Sequence, residues 1–252
     1  MSGRTRRGLI AATAAISLVL TAGGTAGAAA TYGDVTCHGG TIAPGRYHSL
    51  TVAGACTLTS SGTVWVKTNV TVAPHGLFNA VTPGTLKVHG NVIVASDGTA
   101  GIGCSPFIGC SVTTADTIGG SIRATGAWAV IVHSAWIGGS ISEVGGGRTM
   151  NCGVIAPFGA PWYSDFEDNT VGGSVTIQRV HSCWLGFIRN TVASNVTVTG
   201  TRMGDPDANE ITTNTVGGNL ACFNNVPQVH FGDSGGTPNT VAGRKLGECV
   251  NM

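Results

Sequence analysis

The sequence predicts an all-β protein, a single-stranded right-handed parallel β-helix of roughly eight rungs with disulfide-braced ends. Three observations predict it. A short motif of the type Asn-Thr-Val-Gly-Gly recurs through the second half of the chain, apolar residues alternate within each copy, and eight cysteines are spread from Cys37 to Cys249. Starts of the motif fall at Thr117, Trp136, Thr170, Thr191, Thr215 and Thr240, at intervals of 19, 34, 21, 24 and 25 residues. A fixed strand register with loops of changing length produces such intervals in a solenoid.

The N-terminal residues form a separate element. Arg4, Arg6 and Arg7 precede an apolar run from Leu9 to about Leu20, and small residues lead to Ala28-Ala29-Ala30. This order predicts a secretory signal peptide over residues 1–30, read by either the twin-arginine or the general export route. A second apolar run long enough to span a bilayer does not follow. Without Arg4, Arg6 and Arg7, ten Lys and Arg face twelve Asp and Glu, a net charge of about −2. That balance argues against a nucleic-acid partner, which calls for clustered positive charge.

Residues 31–62 are expected to form an N-terminal cap and first rung, and residues 63–252 the β-helix with a C-terminal disulfide cap. In the repeats, Val171, Val175 and Ile177, or Val192, Val196 and Val198, fall on even spacings, which is the strand period. Looser copies begin at Thr63 and Thr85. Equivalent residues of successive rungs would stack about 4.8 Å apart. Asn169, Asn190, Asn214 and Asn239 are therefore expected to form a ladder at one bend, where Asn tolerates left-handed backbone and bonds along the stack. The Gly pairs that follow suit a second bend where a Cβ would clash. Sequence proximity and rung register suggest the disulfides Cys37–Cys56, Cys104–Cys110, Cys152–Cys183 and Cys222–Cys249. A zinc site made of cysteines is disfavoured, because no Cys-x-x-Cys pair is present.

The stretches Asn214-Thr215-Val216-Gly217-Gly218-Asn219-Leu220-Ala221-Cys222 and 238–249 resemble a family of secreted, disulfide-containing β-helix proteins common in actinobacteria. The resemblance covers about residues 35–249 and implies architecture rather than activity. The Gly-punctuated strands are also similar to those of bactofilins, which implies shared geometry. Bactofilins normally work in the cytoplasm and lack this cysteine pattern.

Two motifs invite a chemical reading. Gly232-Asp233-Ser234-Gly235-Gly236 matches the nucleophile segment of trypsin-like serine proteases, but no matching His segment lies upstream. The segment is expected to be an ordinary turn. The longest interval ends in Trp162, Tyr163, Asp165, Phe166, Glu167 and Asp168, and the next rung adds Trp184 and Arg189. Counting back from the Asn-Thr step makes Asp168 and Arg189 lateral neighbours. Aromatic faces beside carboxylates suit sugar rings, so Trp162, Tyr163, Phe166, Trp184 and Arg189 are the ligand-binding candidates. The competing expectation is that these aromatics fold back over the solenoid and that Asp168 and Arg189 form a surface ion pair.

A lyase would use Arg189 as base, with Asp165, Glu167 and Asp168 holding Ca²⁺. A glycosidase would need two opposed carboxylates, to which Asp205, Asp207 and Glu210 offer additions. The histidines 38, 48, 75, 89, 133, 181 and 230 share no register and predict no metal column. The expected function is that of a secreted or wall-associated, non-enzymatic solenoid presenting a rigid face to surface polysaccharide or to itself. The alternatives are a polysaccharide lyase or hydrolase built on the acidic–aromatic loop, and a purely structural assembly unit. No cofactor or metal is expected outside the lyase alternative.

Overall fold

The computed structural model describes residues 32–252, so the predicted signal peptide lies outside the described residues. The described residues wind through eight three-stranded turns, a ninth with two strands and one last strand, building three parallel sheets of ten, eight and nine strands beside a small two-stranded one. Every inter-strand pairing between named strands is parallel, and each strand pairs with its equivalents one turn before and after. The register Val175↔Val196↔Leu220 in the first sheet and Thr191↔Thr215↔Thr240 in the third illustrates it. The chain is a parallel β-helix.

Alternation decides which residues fill it. In the first sheet Leu50, Val70, Val92, Ile122, Ile141, Val175, Val196 and Leu220 form one inward column, each essentially solvent-free. The third sheet adds Val66, Val88, Ile118, Ile137, Val171, Val192 and Val216. Burying each such side chain contributes roughly 1.5–3 kcal/mol, so stacking neighbours supplies what no single turn could.

The bends are held by side chains. Asn169, Asn190, Asn214 and Asn239 form the expected buried ladder between the second and third sheets. Each of the last three accepts on Oδ1 both the backbone N–H and the Nδ2–H of the Asn one turn earlier, at 2.8–3.1 Å. Their Nδ2 groups also donate to carbonyls of the preceding turn, as Asn190 does to Phe166 at 2.8 Å. A second ladder lies at the bend between the third and first sheets. There the side-chain oxygens of Asn69, Asn91, Ser121 and Ser140 accept the backbone N–H groups of Asn91, Ser121, Ser140 and Ser174 in turn.

The Gly pairs sit just before this second ladder. A Cβ on Gly172 would lie 2.4 Å from the Gly138 carbonyl oxygen, and one on Gly173 would lie 2.3 Å from Ser140 Oγ. Close approach of turns, rather than an unusual φ, requires glycine here.

Four disulfides join Cys37–Cys56, Cys104–Cys110, Cys152–Cys183 and Cys222–Cys249, which places the fold in an oxidising compartment. The first links the opening two turns. The last ties the ninth turn to the helical turn Glu248–Asn251, and buried Cys249 and Met252 close the core at that end. Among the described residues no helix is long and apolar enough to cross a membrane.

Candidate functional site

The outer face of the second sheet carries the site. Strands Thr99–Ile102, Ala129–His133, Tyr163–Glu167 and Trp184–Ile188 lie side by side there. Alternation turns Ser164 and Phe166 inward and Tyr163, Asp165 and Glu167 outward. Two insertions rise over this face. Residues 104–110 are closed on themselves by one disulfide, and the segment 145–162 is tied to the next turn through Cys152–Cys183. Between them lies a cavity of about 290 Å³. Its floor includes Leu77, Asn79, Thr99, Gly101 and Ile131, and Ile108 and Phe158 stand on opposite walls beside Tyr163.

The aromatic candidates therefore separate by place. Tyr163 lines the cavity, with its ring 5.7 Å from Phe158 and 6.1 Å from Trp184. Trp162 is buried beneath the insertion, edge-on to Trp128 at 5.3 Å and to Phe158 at 5.8 Å. It packs the wall and does not offer its face to a ligand. Phe166 is fully buried in the solenoid core beside Phe187, which corrects its expected place among ligand-binding residues. The reason is parity, because position 166 shares the inward phase of Val132 and Phe187. Trp184 is half-buried, and its ring covers Gly186, where a Cβ would meet it at 2.2 Å.

The charged candidates converge beside the cavity. Arg189 bonds Asp168 through Nε at 2.8 Å and Nη2 at 2.9 Å, and it also pairs with Glu167. Asp168 and Arg189 both adopt left-handed backbone, with φ of 57° and 56°, and so leave the sheet at the same point of successive turns. The bonds it donates to Asp168 raise the affinity of Arg189 for its proton. A guanidinium held in this way does not take up a proton from a substrate, which counts against Arg189 as a lyase base. Burial pushes Glu167 up to about 7, with the neighbouring Asp165 charge adding to the effect. Burial also raises Asp165, and it pushes Tyr163 up to about 12 with help from the two carboxylates.

Sequence reasoning missed His133. It is fully buried at the end of the strand Ala129–His133, in register with Glu167, and its Nε2 stands 3.0 Å from Asp165 Oδ2. Counting three residues back from Trp136 and from Thr170 would have paired His133 with Glu167. Inside the solenoid a second acid was missed. Glu143 takes an inward position between Ala124 and Ile177 and accepts a 2.7 Å hydrogen bond from Ser164.

Glu210 is also buried. It lies two turns from Asp165, across Gly186, and accepts a bond from Ser234. This explains the protease-like segment. Ser234 is partnered by a carboxylate, while His230 Nδ1 accepts the Gly232 N–H at 2.9 Å, so no Ser–His pair forms. Burial raises the Glu210 carboxyl, and the Ser234 bond opposes that rise. Asp205 and Asp207 lie in the turn before this strand, where Asp205 accepts the Asp207 N–H at 2.9 Å. Asp165, Glu167 and Asp168 belong to one strand and its exit. They therefore stand on the same side rather than opposed, the arrangement a glycosidase needs.

No protein-family model matches the chain, and no curated protein or solved structure emerges as similar to it.

Proposed function

We propose that this protein is an exported, non-enzymatic solenoid that binds a glycan of a cell-surface or environmental polymer in the cavity of its second sheet. The observation that carries this reading is the pair of disulfide-held insertions walling a cavity on a rigid sheet. Stapled walls lower the ordering cost of binding, which is how a small site gains affinity. Phe158 and Tyr163 supply apolar ring faces, while Asn79 and Thr99 supply hydrogen-bonding groups for hydroxyls. The volume lies at the small end of ligand sites, roughly 300–1,000 Å³. It suits a chain end or short branch better than a long segment.

The test is retention of the purified, oxidised protein on a panel of plant, fungal and bacterial polysaccharides, with sugar release scored in the same samples. Retention without products, weakened about tenfold or more by Tyr163→Ala, is the expected result. Release of unsaturated or reducing sugars would replace binding with catalysis.

A second reading, adsorption along the third sheet, rests on one outward column. Trp136, Thr170, Thr191, Thr215 and Thr240 follow one another in register, and Trp136 is 48% exposed. Loss of retention in Trp136→Ala, with Tyr163→Ala unaffected, would favour this face.

A further inference from the structure

Beside the cavity, buried and half-buried charge is out of balance. Asp165, Glu167 and Asp168 bring three carboxylates, and Arg189 brings one guanidinium. By formal charge, three negative groups face one positive group there, an excess of two. Buried charges are retained where they are paired or hold a metal.

Hydrogen bonding is also incomplete at the same place. Neither ring nitrogen of fully buried His133 makes a hydrogen bond among the described residues, and Asp165 Oδ1 has no partner either. His133 Nε2 stands 3.0 Å from Asp165 Oδ2, a separation at which both atoms can reach one ion. Two ligands sharing one ion have this relation, since their lone pairs aim at a common third point. With ion–ligand distances of about 2.0–2.2 Å, donor atoms stand roughly 3–3.6 Å apart. One ligand atom from each of His133, Asp165 and Glu167 lies within 4.8 Å of the others.

We propose that His133, Asp165 and Glu167 bind a divalent transition-metal ion of the zinc class at the edge of the second-sheet cavity. One imidazole and two carboxylates form a borderline donor set that suits such an ion. Calcium would require six to eight oxygen ligands and takes no imidazole. A 2+ charge cancels the excess of the cluster. Arg189 then orients Glu167 from behind, as outer partners do in metal sites. The proposal concerns different side chains from the glycan reading and stands without it. The other metal-like group, Cys152, Cys183 and Asp205, is excluded because its two sulfurs form a disulfide.

The test titrates Zn²⁺ into the chelator-treated, oxidised protein by calorimetry and follows thermal unfolding with and without the ion. One equivalent is expected to bind and to raise the unfolding temperature. His133→Gln, Asp165→Asn and Glu167→Gln should each weaken uptake about tenfold or more. His181→Ala, which removes an exposed imidazole, should leave uptake unchanged. Ca²⁺ should have no effect on unfolding. Cobalt substitution should give visible bands that the variants lose. The two carboxamide variants keep the size of the residues they replace, so they carry the test if His133→Gln fails to fold. Absence of uptake by the wild type, or equal uptake by wild type and Asp165→Asn, overturns the site.

Discussion

Replacing Glu143 with Gln should stabilise the protein by an amount that depends on pH. Glu143 is fully buried inside the solenoid, where burial raises its carboxyl from the ordinary 4.5 to about 8 and the bond from Ser164 opposes the rise. Between those two values the folded chain keeps a proton that the unfolded chain releases. Stability is therefore greatest below about pH 4.5 and falls as the pH rises toward 8. Each pH unit is worth about 1.4 kcal/mol, so by pH 7 the loss is on the order of 3 kcal/mol. Gln accepts the Ser164 hydroxyl in the same way and has no proton to lose. Urea unfolding of both proteins with disulfides intact, at pH 4, 5.5 and 7, reads the difference. The variant should match the wild type at pH 4 and exceed it by on the order of 3 kcal/mol at pH 7. A gap of the same size at all three values would refute the reasoning, because it would trace to packing rather than ionisation.

Other expectations follow from the bends. Asn214→Ala removes the acceptor of two bonds from Asn190 and the donor to Phe187, and should cost about 3 kcal/mol or more in urea unfolding. Asp116 occupies the ladder position one turn above Ala135, accepts the Leu86 N–H at 2.7 Å, and is pushed up to about 6 by burial. Its Oδ2 has no partner, whereas an Asn there would offer an N–H toward Ala80, the register equivalent of the Val132 carbonyl that Asn169 uses. Asp116→Asn should therefore stabilise by roughly 1–3 kcal/mol at pH 7 and by less at pH 4. Gly172→Ala should lower the thermal midpoint through its 2.4 Å clash, at a cost of about 1–3 kcal/mol, while Gly33→Ala, with open space around it, should not.

Much of the architecture is legible in the sequence because a solenoid repeats its local physics. Parity along each strand separates Val171 and Val192, which fill the core, from Thr170 and Thr191, which face solvent. The Asn before each Thr marks one bend, and the Asp168–Arg189 pair follows from counting back one place. The same counting could have found the second ladder, since Ser or Asn follows each Gly pair, as Ser121, Ser140, Ser174 and Asn219 do. It also could have lined up His133 with Glu167.

Phe166 differs from its aromatic neighbours by parity, which turns it inward with Val132 and Phe187. Trp162 misleads for another reason. It precedes the strand, and only the fold of the segment 145–162 decides that its ring goes under the wall.

What the sequence determines by itself is the coil, its inward columns, its bends and the cysteine pairs that register brings together. The tertiary structure alone decides the cavity and the cluster beside it. Insertions such as 104–110 and 145–162 have no period, so nothing in their spacing tells which outward residues they cover. Burial of His133, Asp165 and Glu143, and the charge imbalance that follows from it, exists only once those coverings and neighbouring turns exclude water.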